Sequence, residues 1–142
     1  MFETTQACAD VAIVVKDIDK SLAFYQDILG MEETRVLDLP ADFARKAGFA
    51  TEGLKLHFLK FGNMNVKLLE FEEPPASRDP IANSQTGLRY ITFWVKSMDE
   101  TVAYLKSKGV STFKTDPIER VPGRKLVFFS DPDGNLLELL GP

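Results

Sequence analysis

The chain is poor in the residues that build most metal and redox sites. Among its 142 residues there is one cysteine, Cys8, and one histidine, His57. A single cysteine excludes an internal disulfide and fits a reducing compartment, so a cytoplasmic location is expected. At the start of a strand, Cys8 reads as a small buried hydrophobe. One histidine excludes a zinc finger or a multi-histidine metal site within one chain. No run of lysine or arginine forms a basic stripe, the net charge is -4, and no aromatic-rich basic strand offers a stacking platform; nucleic acid is not an expected partner. No apolar stretch is long enough for a membrane span, and MFETTQACAD carries no apolar signal core, so no membrane partner is expected either. The apolar fraction of 44% and charged fraction of 27% suit a globular domain.

What the chain does have is a repeat. Residues 14–31 read VVKDIDKSLAFYQDILGM, and residues 94–110 read WVKSMDETVAYLKSKGV. Each is an apolar strand followed by an acidic helix start and an amphipathic helix closed by glycine, Gly30 or Gly109. Asp19 and Asp99 are the expected N-caps. Strands are expected at 7–15, 32–39, 55–62 and 65–71, with a short irregular helix or lid at 40–49 whose Phe43 and Phe49 close over a ligand, the sheet edge or a subunit interface. Residues 72–87 are polar and proline-bearing and read as a linker. The second half repeats the order. Residues 87–95 are a strand, VSTFKTDPIERV is a strand running into a loop, and 124–129 with 135–140 form a hairpin around Asp131-Pro132-Asp133-Gly134. The pattern is α+β: two tandem βαβββ modules, 7–71 and 88–140, in one domain.

That order, the phrase DIDKSLAFYQDILGM and the ending FFSDPDGNLLELLGP resemble the vicinal oxygen chelate superfamily. This is the group of glyoxalase I, bleomycin-resistance proteins, methylmalonyl-CoA epimerase, fosfomycin-resistance enzymes and extradiol dioxygenases. The resemblance spans nearly the whole chain. It implies two modules whose curled mixed sheets enclose a cup-like cavity, a homodimer, and a divalent metal in catalytic members. Metal ligands in such proteins come from the first and last strands of each module, as His or Gln and Glu, then His and Glu. Fold alone does not give activity.

Carried over by that resemblance, the ligand positions fall on Asp10, Lys67, Tyr90 and Glu138, with Glu70 close to the second. Only Glu138 keeps the implied residue type. Asp10 and Glu138 would be the ligands if a metal such as Mg²⁺ or Mn²⁺ is held. A protonated Lys67 repels a cation. The sharper expectation is that the Lys67 ammonium replaces the metal between Asp10 and Glu138, so that no cofactor is needed. The alternatives are a solvated Lys67 and a true metal site.

Strand alternation places Ala12 and Val14 on the face of Asp10, Thr92 and Trp94 with Tyr90, Leu69 and Phe71 with Lys67, and Leu136 and Leu140 with Glu138. Asp10, Phe71, Tyr90, Thr92 and Trp94 are therefore the expected ligand contacts, with Arg124 as a clamp for a carboxylate or phosphate or else a solvated strand end. His57 is a candidate general base if its strand face is the ligand face, and otherwise a structural residue. Two functions follow. The first is a bleomycin-resistance-type protein that binds a small organic ligand without metal. The second is a glyoxalase-type lyase, isomerase or epimerase acting beside a carbonyl, with Glu138 as acid/base and Lys67 or a metal as electrophile. A dioxygenase is disfavoured, because its iron would need two histidines.

Overall fold

Local signals start the two helices of the repeat, and they do so two residues earlier than expected. In the computed structural model, which describes residues 1–77 and 86–142, helix α1 (Ile18–Leu22) is capped by Asp17. Asp17 has extended φ and ψ, and its side chain accepts a hydrogen bond from the Lys20 amide at 3.2 Å. Helix α3 (Met98–Ser107) is capped in the same way by Ser97, whose Oγ accepts from the Glu100 amide at 3.4 Å. Asp19 and Asp99 are corrected to first-turn acids, where they face the positive helix end. Beyond α1 the backbone widens into a π-helical stretch, Ala23–Ile28, so that the Leu29 amide donates to the Phe24 carbonyl five residues back. Gly30 and Gly109 leave the two helices with φ of +79° and +86°.

The chain divides into two compact units, Met1–Ser77 and Arg78–Pro142. The first holds β1 (Asp10–Val15), β2 (Glu32–Leu39), β3 (Leu54–Phe61) and β4 (Met64–Phe71) in the order β1-β4-β3-β2. The second holds β5 (Tyr90–Trp94), β6 (Ile118–Val121), β7 (Arg124–Ser130) and β8 (Leu136–Gly141) in the order β5-β8-β7-β6. Each sheet is mixed, since β1 runs parallel to β4, β5 runs parallel to β8, and the other pairs are antiparallel. The expected βαβββ pattern therefore recurs. The expected curling into a cup is corrected: each sheet is open, with β1 and β2 as the edges of one and β5 and β6 as the edges of the other. Four strands are too few to close a sheet on itself; small closed barrels need about eight. Part of the expected linker, 78–85, lies outside the described residues. The strand expected within residues 110–121 is reduced to β6.

One face of each sheet carries its core. In the first unit Ile13, Val15, Leu59, Val66 and Leu68 are buried, as are Phe24 and Tyr25, whose rings meet edge to face at 5.1 Å. In the second, Val127, Phe129, Leu137 and Leu139 are buried, together with Met98, Val102 and Leu105 of α3. Each such side chain contributes about 1.5–3 kcal/mol relative to exposure. The alternate residues of the same strands carry the polar groups described next. A further helix, α2 (Ala41–Ala47), fills the 40–49 segment. Its Ala44 is buried with Leu54 and Leu69, while Phe43 and Phe49 remain about half exposed. Among the described residues no helix is long and apolar enough to cross a membrane.

Candidate functional site

Register places the chemistry in equivalent rows of the two sheets. In the first unit Lys67 on β4 stands between Ala12 on β1 and Phe58 on β3, and Phe58 pairs with Arg35 on β2. In the second, Glu138 on β8 stands between Thr92 on β5 and Phe128 on β7. Lys67 and Glu138 are thus the same position of the repeat, occupied by opposite charges.

Lys67 turns to a carboxylate on the neighbouring strand. Its Nζ lies 2.9 Å from Oδ2 of Asp10, a diagonal neighbour across the parallel strands, and 5.2 Å from the centre of the Phe58 ring. The other carboxylate oxygen of Asp10 accepts from Asn65 Nδ2 at 2.9 Å, and Asn65 also donates to Cys8 Sγ at 3.3 Å. The hydrogen bond from Lys67, then that from Asn65, hold the Asp10 carboxyl below the usual carboxylate range, with a smaller push from the Arg35 charge. The pair is only partly shielded, with side chains 29% and 33% exposed. At the far end of this face Phe71 packs against the Ala44, Leu54 and Leu69 cluster beneath α2.

His57 sits on the opposite face of the same sheet, paired in register with Leu68 rather than Lys67. It is 8% exposed, and both ring nitrogens meet carboxylates: Nδ1 with Glu33 at 2.9 Å and Nε2 with Glu70 at 3.0 Å. The imidazole thereby ties β2, β3 and β4 together. Glu70, which neighbours the Lys67 position in sequence, is thus held on the His57 side.

In the second unit a tight turn sets the approach to Glu138. Asp131 Oδ1 accepts from the amides of Asp133 and Asn135, and Gly134 takes φ of +83°. Strand β8 follows, and Glu138 is buried, at 8% exposure. Its Oε2 accepts a short hydrogen bond of 2.6 Å from Thr92 Oγ1. On the same face the Tyr90 and Phe128 rings meet edge to face at 5.1 Å. Trp94 is 68% exposed, with the Arg124 guanidinium 5.5 Å from its ring centre.

Alternation thus puts Asp10, Lys67 and Phe71 on one face of the first sheet, and Tyr90, Thr92, Trp94, Arg124 and Glu138 on one face of the second. It leaves His57 apart from Lys67. The residues not foreseen are Arg35 and Phe58, which join the Lys67 row through cross-strand register, and Asn65, which precedes Lys67 by two on β4 and pairs with Asp10. Among the described residues no three His, Cys, Asp or Glu side chains gather as a metal site would require.

Comparison with known proteins agrees with the repeat. Residues 8–139 match the family model described as "Glyoxalase/Bleomycin resistance protein/Dioxygenase superfamily". The uncharacterized protein YaeR of Escherichia coli is 35% identical over 132 residues, covering 91% of both chains. Human mitochondrial methylmalonyl-CoA epimerase is 30% identical over 137 residues, covering 91% of this chain and 70% of that one. Among solved structures, a glyoxalase family protein from Bacillus cereus superposes with a TM-score of 0.78 at 20% identity, covering 99% of this chain and 97% of its own, a likeness of fold.

Proposed function

The chain belongs to the glyoxalase/bleomycin resistance protein/dioxygenase superfamily, and from that premise we propose that it binds a small organic ligand without a divalent metal, the Lys67 ammonium standing where a metal ion would. The observation that carries this reading is the 2.9 Å ion pair between Lys67 and Asp10. Both are positions to which the family resemblance assigns metal ligands. The donor set does not fit a divalent cation. In the second unit, taken by itself, the Tyr90 ring is packed on Phe128; in the first, one position carries a fixed positive charge and Asp10 already serves Lys67 and Asn65. A cation entering there would meet an ammonium instead of a donor. Tyr90, Thr92 and Trp94 are the proposed ligand contacts on the second unit, with Arg124 backing Trp94.

The reading is tested by ligand-induced thermal stabilisation against a panel of small aromatic and carbonyl compounds, with EDTA and then with added Mn²⁺. Stabilisation that is unchanged by chelator is expected. Stabilisation that appears only with metal would refute the proposal.

A second reading is favoured by one observation, the shielded Glu138 carboxylate and its Thr92 hydrogen bond. With a methylmalonyl-CoA epimerase among the relatives, Glu138 is the group suited to take a proton from a carbon beside a carbonyl. Activity lost in Glu138→Gln with ligand affinity retained would establish this reading. Activity retained in that variant would remove it.

A further inference from the structure

Arg35 is the charged group in the Lys67 row that the reading above does not use. It enters the row through register: Arg35 pairs with Phe58, Phe58 with Lys67, and Lys67 with Ala12. Its guanidinium carbon lies 4.1 Å from the centre of the Phe58 ring, closer than Lys67 Nζ at 5.2 Å from the same ring. One aromatic side chain therefore has two cations as neighbours on one open sheet face.

The two cations differ in what they have left to give. Lys67 already has Asp10 as its carboxylate. Among the described residues no carboxylate forms an ion pair with Arg35; its contact is the ring. A guanidinium over a ring face keeps its N–H groups as a fork of donors, the geometry that suits a carboxylate or phosphate. The row carries Arg35 and Lys67, and the next row on the same face carries Asp10, Lys60 and Glu32, which together leave one positive charge. Like charges gathered around one ring repel each other, and Asp10 is paired with Lys67 alone. A bound anion would complete the balance.

We infer that Arg35, stacked on Phe58 beside Lys67, anchors the anionic group, a carboxylate or a phosphate, of an organic ligand. This names the ligand class for the binding reading above and rests on it. Arg35 supplies the directional contact, Phe58 holds it in place, and the free N–H bonds of the Lys67 ammonium add a second charge. Arg35 is exposed on its strand, so its replacement removes a donor without opening the core.

The test uses three probes of one shape, benzoate, phenyl phosphate and neutral benzamide, titrated into the ¹⁵N-labelled full chain in EDTA. Saturable shifts of the Arg35, Phe58 and Lys67 amides by either anion, with no comparable response to benzamide, are expected. The stronger of the two anions identifies carboxylate or phosphate as the natural group. Arg35→Gln should weaken that anion about tenfold with melting temperature unchanged, and Arg35→Lys should recover part of the loss by restoring charge without the fork. The inference is overturned if neither anion binds the wild type saturably, if benzamide binds as well as the anions, or if Arg35→Gln leaves affinity unchanged. Equal benzamide binding would leave the metal-free reading intact. Anion binding lost in EDTA, restored by Mn²⁺ and still dependent on Arg35 would uphold the anchor and remove the metal-free reading.

Discussion

Replacing Thr92 by valine removes one hydroxyl and almost no volume, and the hydroxyl it removes is the hydrogen-bond donor to a shielded carboxylate. Thr92 Oγ1 donates to Glu138 Oε2 at 2.6 Å, and Glu138 is 8% exposed. A hydrogen bond to a charged group contributes about 1.5–3 kcal/mol, and a carboxylate left without its donor keeps most of its desolvation cost. Thr92→Val should therefore destabilise the chain by about 1.5–3 kcal/mol. Thr92→Ser, which keeps the donor and loses a methyl, should cost only about 0.8 kcal/mol. The assay is urea unfolding at neutral pH followed by far-UV circular dichroism, read at constant m. A cycle with Glu138→Gln isolates the pair: once the charge is gone, Thr92→Val should cost about 1 kcal/mol less. A Thr92→Val variant within about 0.5 kcal/mol of wild type, or an equal cost in both backgrounds, would show that the short contact does not hold the carboxylate.

Lys67→Glu sets two carboxylates side by side where a 2.9 Å ion pair stood; for so exposed a pair the loss plus repulsion should come to about 1–2 kcal/mol at low salt and shrink as salt is added. Unfolding of the variant as late as wild type at low salt would contradict this. Because the Asp10 carboxyl is held below its usual range by Lys67 and Asn65, its contribution is fully present above the ordinary carboxylate range and is lost as pH falls through the lowered folded value. The stability difference between wild type and Asp10→Asn should follow that course, and a difference that grows on acidification would refute it. Gly141→Ala would place a Cβ 2.3 Å from the Val95 carbonyl oxygen, so backbone must move, and a loss of about 1–3 kcal/mol is expected in thermal unfolding; a neutral result would mean that β8 and the Val95 backbone separate freely there.

Much of this arrangement was legible because it is local. Alternation along a strand is a two-residue property, so DVAIVV, NVKLLEF, YITFW and NLLELL declare which side chains share a face. The family resemblance put Lys67 and Glu138 at corresponding positions of the two modules, and the strand pairing gives them the same place in each sheet. Caps were misread by two residues in both copies because Asp19 and Asp99 have the right chemistry but stand in the first helical turn. Backbone angles make Asp17 and Ser97 the caps. Arg35 and Phe58 were not legible because their meeting depends on β2–β3 register, which shifts between Glu33 and Arg35; an irregularity of that kind leaves no clear mark in composition. The same holds for the Glu33–His57–Glu70 bridge, assembled from three strands. Sheet closure was inferred from resemblance alone, and it is the part that the open sheets corrected.

The central claim is that an ammonium replaces a metal ion beside Asp10. Elemental analysis tests it most directly, on wild type and Lys67→Glu purified without chelator from the same metal-replete medium. The account predicts far less than one equivalent of divalent metal in the wild type, with occupancy rising only when Lys67 is replaced by glutamate. One equivalent in the wild type, lost in Asp10→Asn, would contradict it.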